Sequence, residues 1–119
     1  MTWEEFLHER PLAVLATAGP DGLPHAVPVE VVVDGGRAYS WGHARSARAR
    51  NLKANPKASI VAYKGGQSFV MLRGAARILT EADPEYARIT QLFLKKYDRE
   101  ETYGNDTLIE VAPDQIVQR

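Results

Sequence analysis

Four cations and one hydroxyl crowd into the run Arg45-Ser46-Ala47-Arg48-Ala49-Arg50-Asn51-Leu52-Lys53. These are groups that grip a phosphate. Guanidinium forks take its oxygens two at a time, and backbone amides at a helix start point at the same place. Arginine outnumbers lysine here, and a planar fork suits bidentate anion binding better than an ammonium does. If a helix starts at Ser46, Arg45 and Arg48 lie at its positive end. Each cation there costs about 0.3–1 kcal/mol until an anion joins it. The competing reading is a solvated helix face. The wider charge pattern favours the anion. From Gly35 to Thr80 stand nine basic residues (Arg37, Arg45, Arg48, Arg50, Lys53, Lys57, Lys64, Arg73, Arg77) and no acid. Residues 1–34 sum to −5 and residues 81–119 to −4, leaving the whole chain neutral. A surface charged only for solubility intersperses its signs.

Other chemistries find less support. The chain has no cysteine, so thiolate metal sites, disulfides and cysteine nucleophiles are excluded. His8, His25 and His43 show neither HxH nor HExxH spacing, and no metal is expected. Ser40, Ser46, Ser59 and Ser68 lack a nucleophile-elbow context, and no side chain is assigned a catalytic role. His25 reads as a cofactor- or substrate-facing side chain or as an ordinary strand residue; His8 reads as solvent-facing. Nucleic-acid binding is not expected, because few aromatics interleave with the cations and net charge is zero. No apolar stretch approaches the roughly 20 residues of a membrane helix. The acidic start Met1-Thr2-Trp3-Glu4-Glu5 has no secretory h-region, so the expected location is cytoplasmic. A length of 119 residues and 45% hydrophobic content suit one globular domain, residues 1–119.

The elements that must position the basic run follow from local signals. Thr2 and Glu5 form a capping box that opens a short helix, which Pro11 stops. Leu12–Thr17 and Pro24–Val33 read as a hairpin around Gly19-Pro20-Asp21-Gly22. Pro24 and Pro28 cannot donate to a ladder, so the second strand is expected at an edge, a bulge or an irregularity. Asp34-Gly35-Gly36 turns into a third strand, Arg37–Trp41, followed by a helix from Ser46 to about Ala54. Lys57–Tyr63 and Gln67–Leu79 form another hairpin. Asp83-Pro84-Glu85 predicts a helix with Asp83 as N-cap, carrying Tyr86, Ile89, Phe93 and Tyr97 on one face. Strands at Thr107–Val111 and Gln115–Gln118 close the chain. Antiparallel hairpins with helices at the ends and one crossover predict a mainly β protein, a small barrel with peripheral helices.

Three stretches together resemble the pyridoxamine 5′-phosphate oxidase-like split-barrel family. They are Leu15-Ala-Thr-Ala-Gly-Pro-Asp-Gly-Leu-Pro-His25-Ala-Val-Pro28-Val, the segment from Asp34-Gly35-Gly36 through Arg45-Ser-Ala-Arg-Ala-Arg-Asn-Leu-Lys-Ala-Asn-Pro-Lys-Ala-Ser-Ile, and Ser68-Phe-Val-Met-Leu-Arg-Gly74-Ala-Ala-Arg-Ile. The resemblance implies a six-stranded antiparallel split barrel of the FMN-binding type, a homodimer with a flavin-type cofactor at its interface. It implies that Ser46, Arg48 and Arg50 hold the cofactor phosphate, with Asn51 counted in the same set. The strand at Val27, Pro28 and Val29 would offer backbone groups to the flavin ring, and Trp41, Gly42 and His43 would lie along the ribityl chain. One departure is Ala47, where many members carry a second basic residue. Short members similar to this chain use either FMN or the deazaflavin coenzyme F420, whose oligoglutamate tail would suit the wider positive rim of Arg37, Lys53 and Lys57. Longer members carry a C-terminal substrate-binding segment, so oxidation of pyridoxamine phosphate itself does not transfer. The implied activity is hydride transfer to or from a small, conjugated or quinone-like substrate. The alternatives are a non-catalytic flavin carrier or sensor and, further off, a nucleic-acid-binding domain.

Overall fold

A computed structural model describes residues 1–119. The elements run α1 (Trp3–His8), β1 (Ala13–Ala18), β2 (Pro24–Val29), β3 (Val32–Asp34), β4 (Arg37–Gly42), α2 (Ala47–Ala54), β5 (Lys57–Lys64), β6 (Ser68–Leu79), α3 (Tyr86–Lys96) and β7 (Thr107–Gln118). All strands belong to one antiparallel sheet of order β2-β1-β5-β6-β7-β4-β3. Its two edge strands, β2 and β3, are separated by only Glu30 and Val31. Edges that far apart in the sheet can be neighbours in the chain only if the sheet curls until they meet. The architecture is a split barrel.

The strand count is seven rather than six. The apolar run Pro24–Val33 reads as one strand, but it breaks at Glu30-Val31 and turns a corner there. The far end of α3 pins the break. Arg99 reaches both carboxylate oxygens of Glu30 at 2.7 Å, and Trp41 Nε1 donates to Glu30 at 2.9 Å. Val31 N–H donates to the Tyr97 hydroxyl, which in turn donates to the Pro11 carbonyl, both at 2.9 Å. Lys96 Nζ donates to the Val31 carbonyl at 2.6 Å and to that of Leu7 at 3.2 Å. The corner's buried backbone groups are thus satisfied by side chains instead of by a ladder.

The barrel interior is filled by alternate residues of the strands, among them Leu15, Ile60, Val70, Leu72 and Val111. Leu52 of α2 and Phe6 and Leu7 of α1 plug it. A second cluster lies under α3, where Trp41, Leu79, Ile89, Phe93 and Leu108 are buried and the Trp41 ring stacks on Phe93 with centroids 4.6 Å apart. Such a pair adds about 0.5–1.5 kcal/mol beyond its area burial.

Two local readings need correction. Asp83 does not cap α3: its carboxylate accepts from Thr80 N–H at 2.8 Å, closing a turn, and the helix starts at Tyr86 behind Glu85, which makes no side-chain cap. The two closing strands are one, β7, with a bulge rather than a gap. Arg73 pairs with Gln115 and Gly74 with Pro113, so Asp114 is the extra residue. A bulge tolerates a proline inside a central strand. Gly74 is required there, since a Cβ would come within 2.0 Å of the Ala112 carbonyl.

Candidate functional site

The basic helix is built as its sequence demands. Ser46 is the N-cap of α2, in extended backbone, and its hydroxyl accepts from Ala49 N–H at 3.2 Å. Amides in the first turn of a helix have no intrahelical acceptor, and Ala47 and Arg48 occupy that turn without an acid near them. Asn51 Nδ2 donates to the buried Thr17 hydroxyl at 3.1 Å and so ties α2 to β1. Leu52 is the helix's apolar anchor.

Arg48 folds back from α2 onto the end of β4. Its Nη2 donates to the Trp41 carbonyl at 3.2 Å, and its buried Nε meets no protein acceptor. Burial alone pulls the guanidinium below its usual pKa. The place it occupies exists because residue 42 is glycine: a Cβ there would lie 2.3 Å from Nη2. Arg50 stays exposed and donates to the Arg45 carbonyl. The Gly42–Ala44 loop beneath them is held from β7's start. Asp106 accepts from Ala44 N–H at 2.9 Å, while Asp106 N–H and the Thr107 hydroxyl both donate to the Gly42 carbonyl at 3.0 Å. His43 Nδ1 accepts from Arg45 N–H, leaving Nε2 3.9 Å from the Asp106 carboxylate.

Trp41, Gly42, His43, Ser46, Arg48 and Arg50 therefore meet at one corner of the barrel. The Trp41 side chain is turned away, buried at 5% exposure under α3, so only its backbone faces the corner. Val27, Pro28 and Val29 lie on the edge strand β2, paired with β1 on one side only. Val27 and Val29 point into the core and Pro28 is exposed. Prolines at 24 and 28 share one parity, which on an edge strand is the parity whose amides would face away from the ladder. A cleft of about 470 Å³ between the β1–β2 turn and α2 brings His25, Asn51 and Ala47 together, and His25 Nδ1 is buried there without a protein partner.

The positive stretch divides in two. Arg37 and Arg77 are not free, because both pair with Glu110 of β7, at 3.2 and 2.9 Å. Sequence reasoning missed Glu110, and no local signal marks it. It is buried at 4% exposure and accepts also from the Tyr39 hydroxyl at 2.9 Å. Desolvation pushes its carboxyl up, and the hydrogen bonds from Arg77 and Tyr39 with the charges of Arg77 and Arg37 more than reverse that, holding it below its ordinary value. Tyr39 is pushed up to about 12 by burial and by that carboxylate. Of the nine cations, the other seven meet no carboxylate within ion-pair distance.

A curled antiparallel sheet closed at a broken strand, with a crossover helix delivering cations to the barrel corner, defines the split-barrel class. The chain belongs to the pyridoxamine 5′-phosphate oxidase family, whose sequence profile matches residues 2–119. It is similar to a solved F420 reductase, at 26% identity over 98% of each chain with a TM-score of 0.76. It is similar also to a conserved hypothetical protein from Mycobacterium tuberculosis, at 22% identity over 99% of this chain and 84% of that one, TM-score 0.82. A third likeness is to HutZ, the heme storage protein from Vibrio cholerae, at 18% identity over 99% and 95%, TM-score 0.81. The last two likenesses speak for the fold alone. No curated protein sequence gives a significant match.

Proposed function

We propose that this protein is an oxidoreductase that uses a flavin-type cofactor, FMN or F420, on a small conjugated organic substrate, and that it works as a homodimer with the cofactor at the interface. The observation that carries the reading is Arg48: a half-buried guanidinium with an unpartnered Nε, no acid beside it, and a helix start at its back. The donor set fits a phosphate. Ser46, Arg48 and Arg50 would hold it together with the first-turn amides of α2, and the backbone at Trp41, Gly42 and His43 would border the chain leading to the ring. The free edge of β2 at Val27–Val29 would orient the ring through backbone groups. The bound cofactor supplies hydride transfer, and the protein supplies anchoring, orientation and exclusion of water. The likeness to an F420 reductase supports the same class.

The test is titration of purified protein with FMN and with F420, followed by absorbance and fluorescence quenching. Binding of either, with reduction on mixing with a reductant or substrate in stopped flow, supports the proposal. Failure of both to bind overturns it, as does salt-dependent oligonucleotide binding without cofactor binding. A cofactor held tightly but never turned over would make the protein a carrier.

A further inference from the structure

We infer a second small-molecule site, for an amphipathic carboxylate, in the cleft between the end of α1, strand β3 and the end of α3. The cleft measures about 650 Å³ and shares no lining residue with the Ser46–Arg48 corner. The apolar part of its lining is Pro11, Val32, Val33 and Leu92. The polar part is Arg10, Lys95 and Lys96 with His8 and Tyr97, and Glu9 is the one acid.

The cations there are poorly served by the protein. Arg10 Nε is buried and meets no protein acceptor, and its guanidinium lies over the Phe6 ring at 5.3 Å. Lys96 spends two donors on the carbonyls of Val31 and Leu7, leaving a third. Neither Arg10 nor Lys96 has a carboxylate within ion-pair distance. Lys96 is lowered to about 8, chiefly by burial, with Glu30 opposing the shift and the nearby charge of Arg10 adding to it. Glu30 acts on Lys96 only through its charge, since its hydrogen bonds go to Arg99 and Trp41. Two like charges held together beside an apolar lining are stabilised by an anion whose body is apolar. A carboxylate suits that lining better than a phosphate dianion, which pays a larger desolvation penalty.

The probe is 1-naphthaleneacetate, with 1-naphthaleneacetamide as its uncharged isostere, followed by calorimetry and ligand fluorescence on the full chain. The acid is expected to bind at least tenfold more tightly than the amide. Arg10→Gln should lower acid affinity at least tenfold, leave amide affinity unchanged, and leave FMN and F420 binding as in wild type. Lys95→Gln, an exposed change, should weaken the acid in the same direction. Equal affinity for acid and amide, no binding of the acid, or indifference to Arg10→Gln would overturn the inference. So would displacement of the acid by FMN or F420, which would put the ligand in the cofactor corner.

Discussion

Arg48 rests where a side chain on residue 42 would otherwise stand, and that contact makes its role testable from both sides. Charge-assisted hydrogen bonds are worth about 1.5–3 kcal/mol each, so Arg48→Ala should lower FMN or F420 affinity about 10–100-fold. Arg48→Lys should recover only part of this, because an ammonium cannot reproduce the fork. Gly42→Ala supplies an independent route: its Cβ would strike the flexible tip of Arg48, not backbone, so the guanidinium moves and the fold persists. Cofactor affinity should fall with little change in Tm. If instead Tm drops while affinity holds in both variants, Arg48 is a strand-end brace and the phosphate sits elsewhere. Asn51 offers the contrast within the same helix. Its amide is engaged with Thr17, so Asn51→Ala should cost stability, about 1 kcal/mol for one part-buried hydrogen bond, before it costs affinity.

Strands β4, β6 and β7 are locked together by one carboxylate. Glu110 faces Tyr39 across one ladder and Arg77 across the other, and Arg37 reaches it from the start of β4. Glu110→Gln leaves Arg37 without its counter-charge and Arg77 with Glu85 alone. Those arginines are half exposed, which discounts the loss to about 2 kcal/mol from the larger cost of a fully buried pair. The pH dependence has a definite sign. A carboxyl whose folded pKa is depressed adds stability that is present above its unfolded value, about 4.3, and disappears as pH falls through the folded one. Thermal melts between pH 6 and pH 3 should therefore show wild type losing stability more steeply than Glu110→Gln, the two curves converging in acid. Parallel curves would mean the carboxylate is not the element that acid unlocks. The bulge is the second device at this scale. Gly74→Ala has no flexible neighbour to displace, only the backbone of Ala112 and Asp114, so β6 and β7 must separate locally and Tm should fall well beyond the effect of a surface substitution.

Across the molecule, what was legible in the sequence is what local chemistry decides. The capping box at Thr2 and Glu5, the helix start at Ser46, the prolines of an edge strand and the Asp34-Gly35-Gly36 turn are all found in the fold. What was not legible is imposed from a distance. The corner at Glu30-Val31 lies inside a β-branched run and is made by Lys96, Tyr97 and Arg99, some 65 to 69 residues on. Asp83 had two local uses, and the turn at Thr80 took it. The charge pattern was read correctly in sign but not in distribution, because strand register hands Arg37 and Arg77 to Glu110. That subtraction sharpens the choice between cofactors. Arg37 leaves the positive rim, whereas exposed Lys53 and Lys57 remain on it without acids. Bound as proposed, FMN would present one phosphate to the corner, and the deazaflavin would add a string of carboxylates that only a wider rim would feel. Exposed charges separated by more than about 10 Å are screened at 0.1 M salt, while the half-buried Arg48 contact is screened less. Raising salt from 50 to 500 mM should therefore weaken F420 binding several-fold more than FMN binding. Lys53→Gln with Lys57→Gln should bring the F420 slope down to that of FMN without moving FMN affinity. Equal slopes in the wild-type protein would confine recognition to the Ser46–Arg48 corner and leave the rim no part in choosing the cofactor.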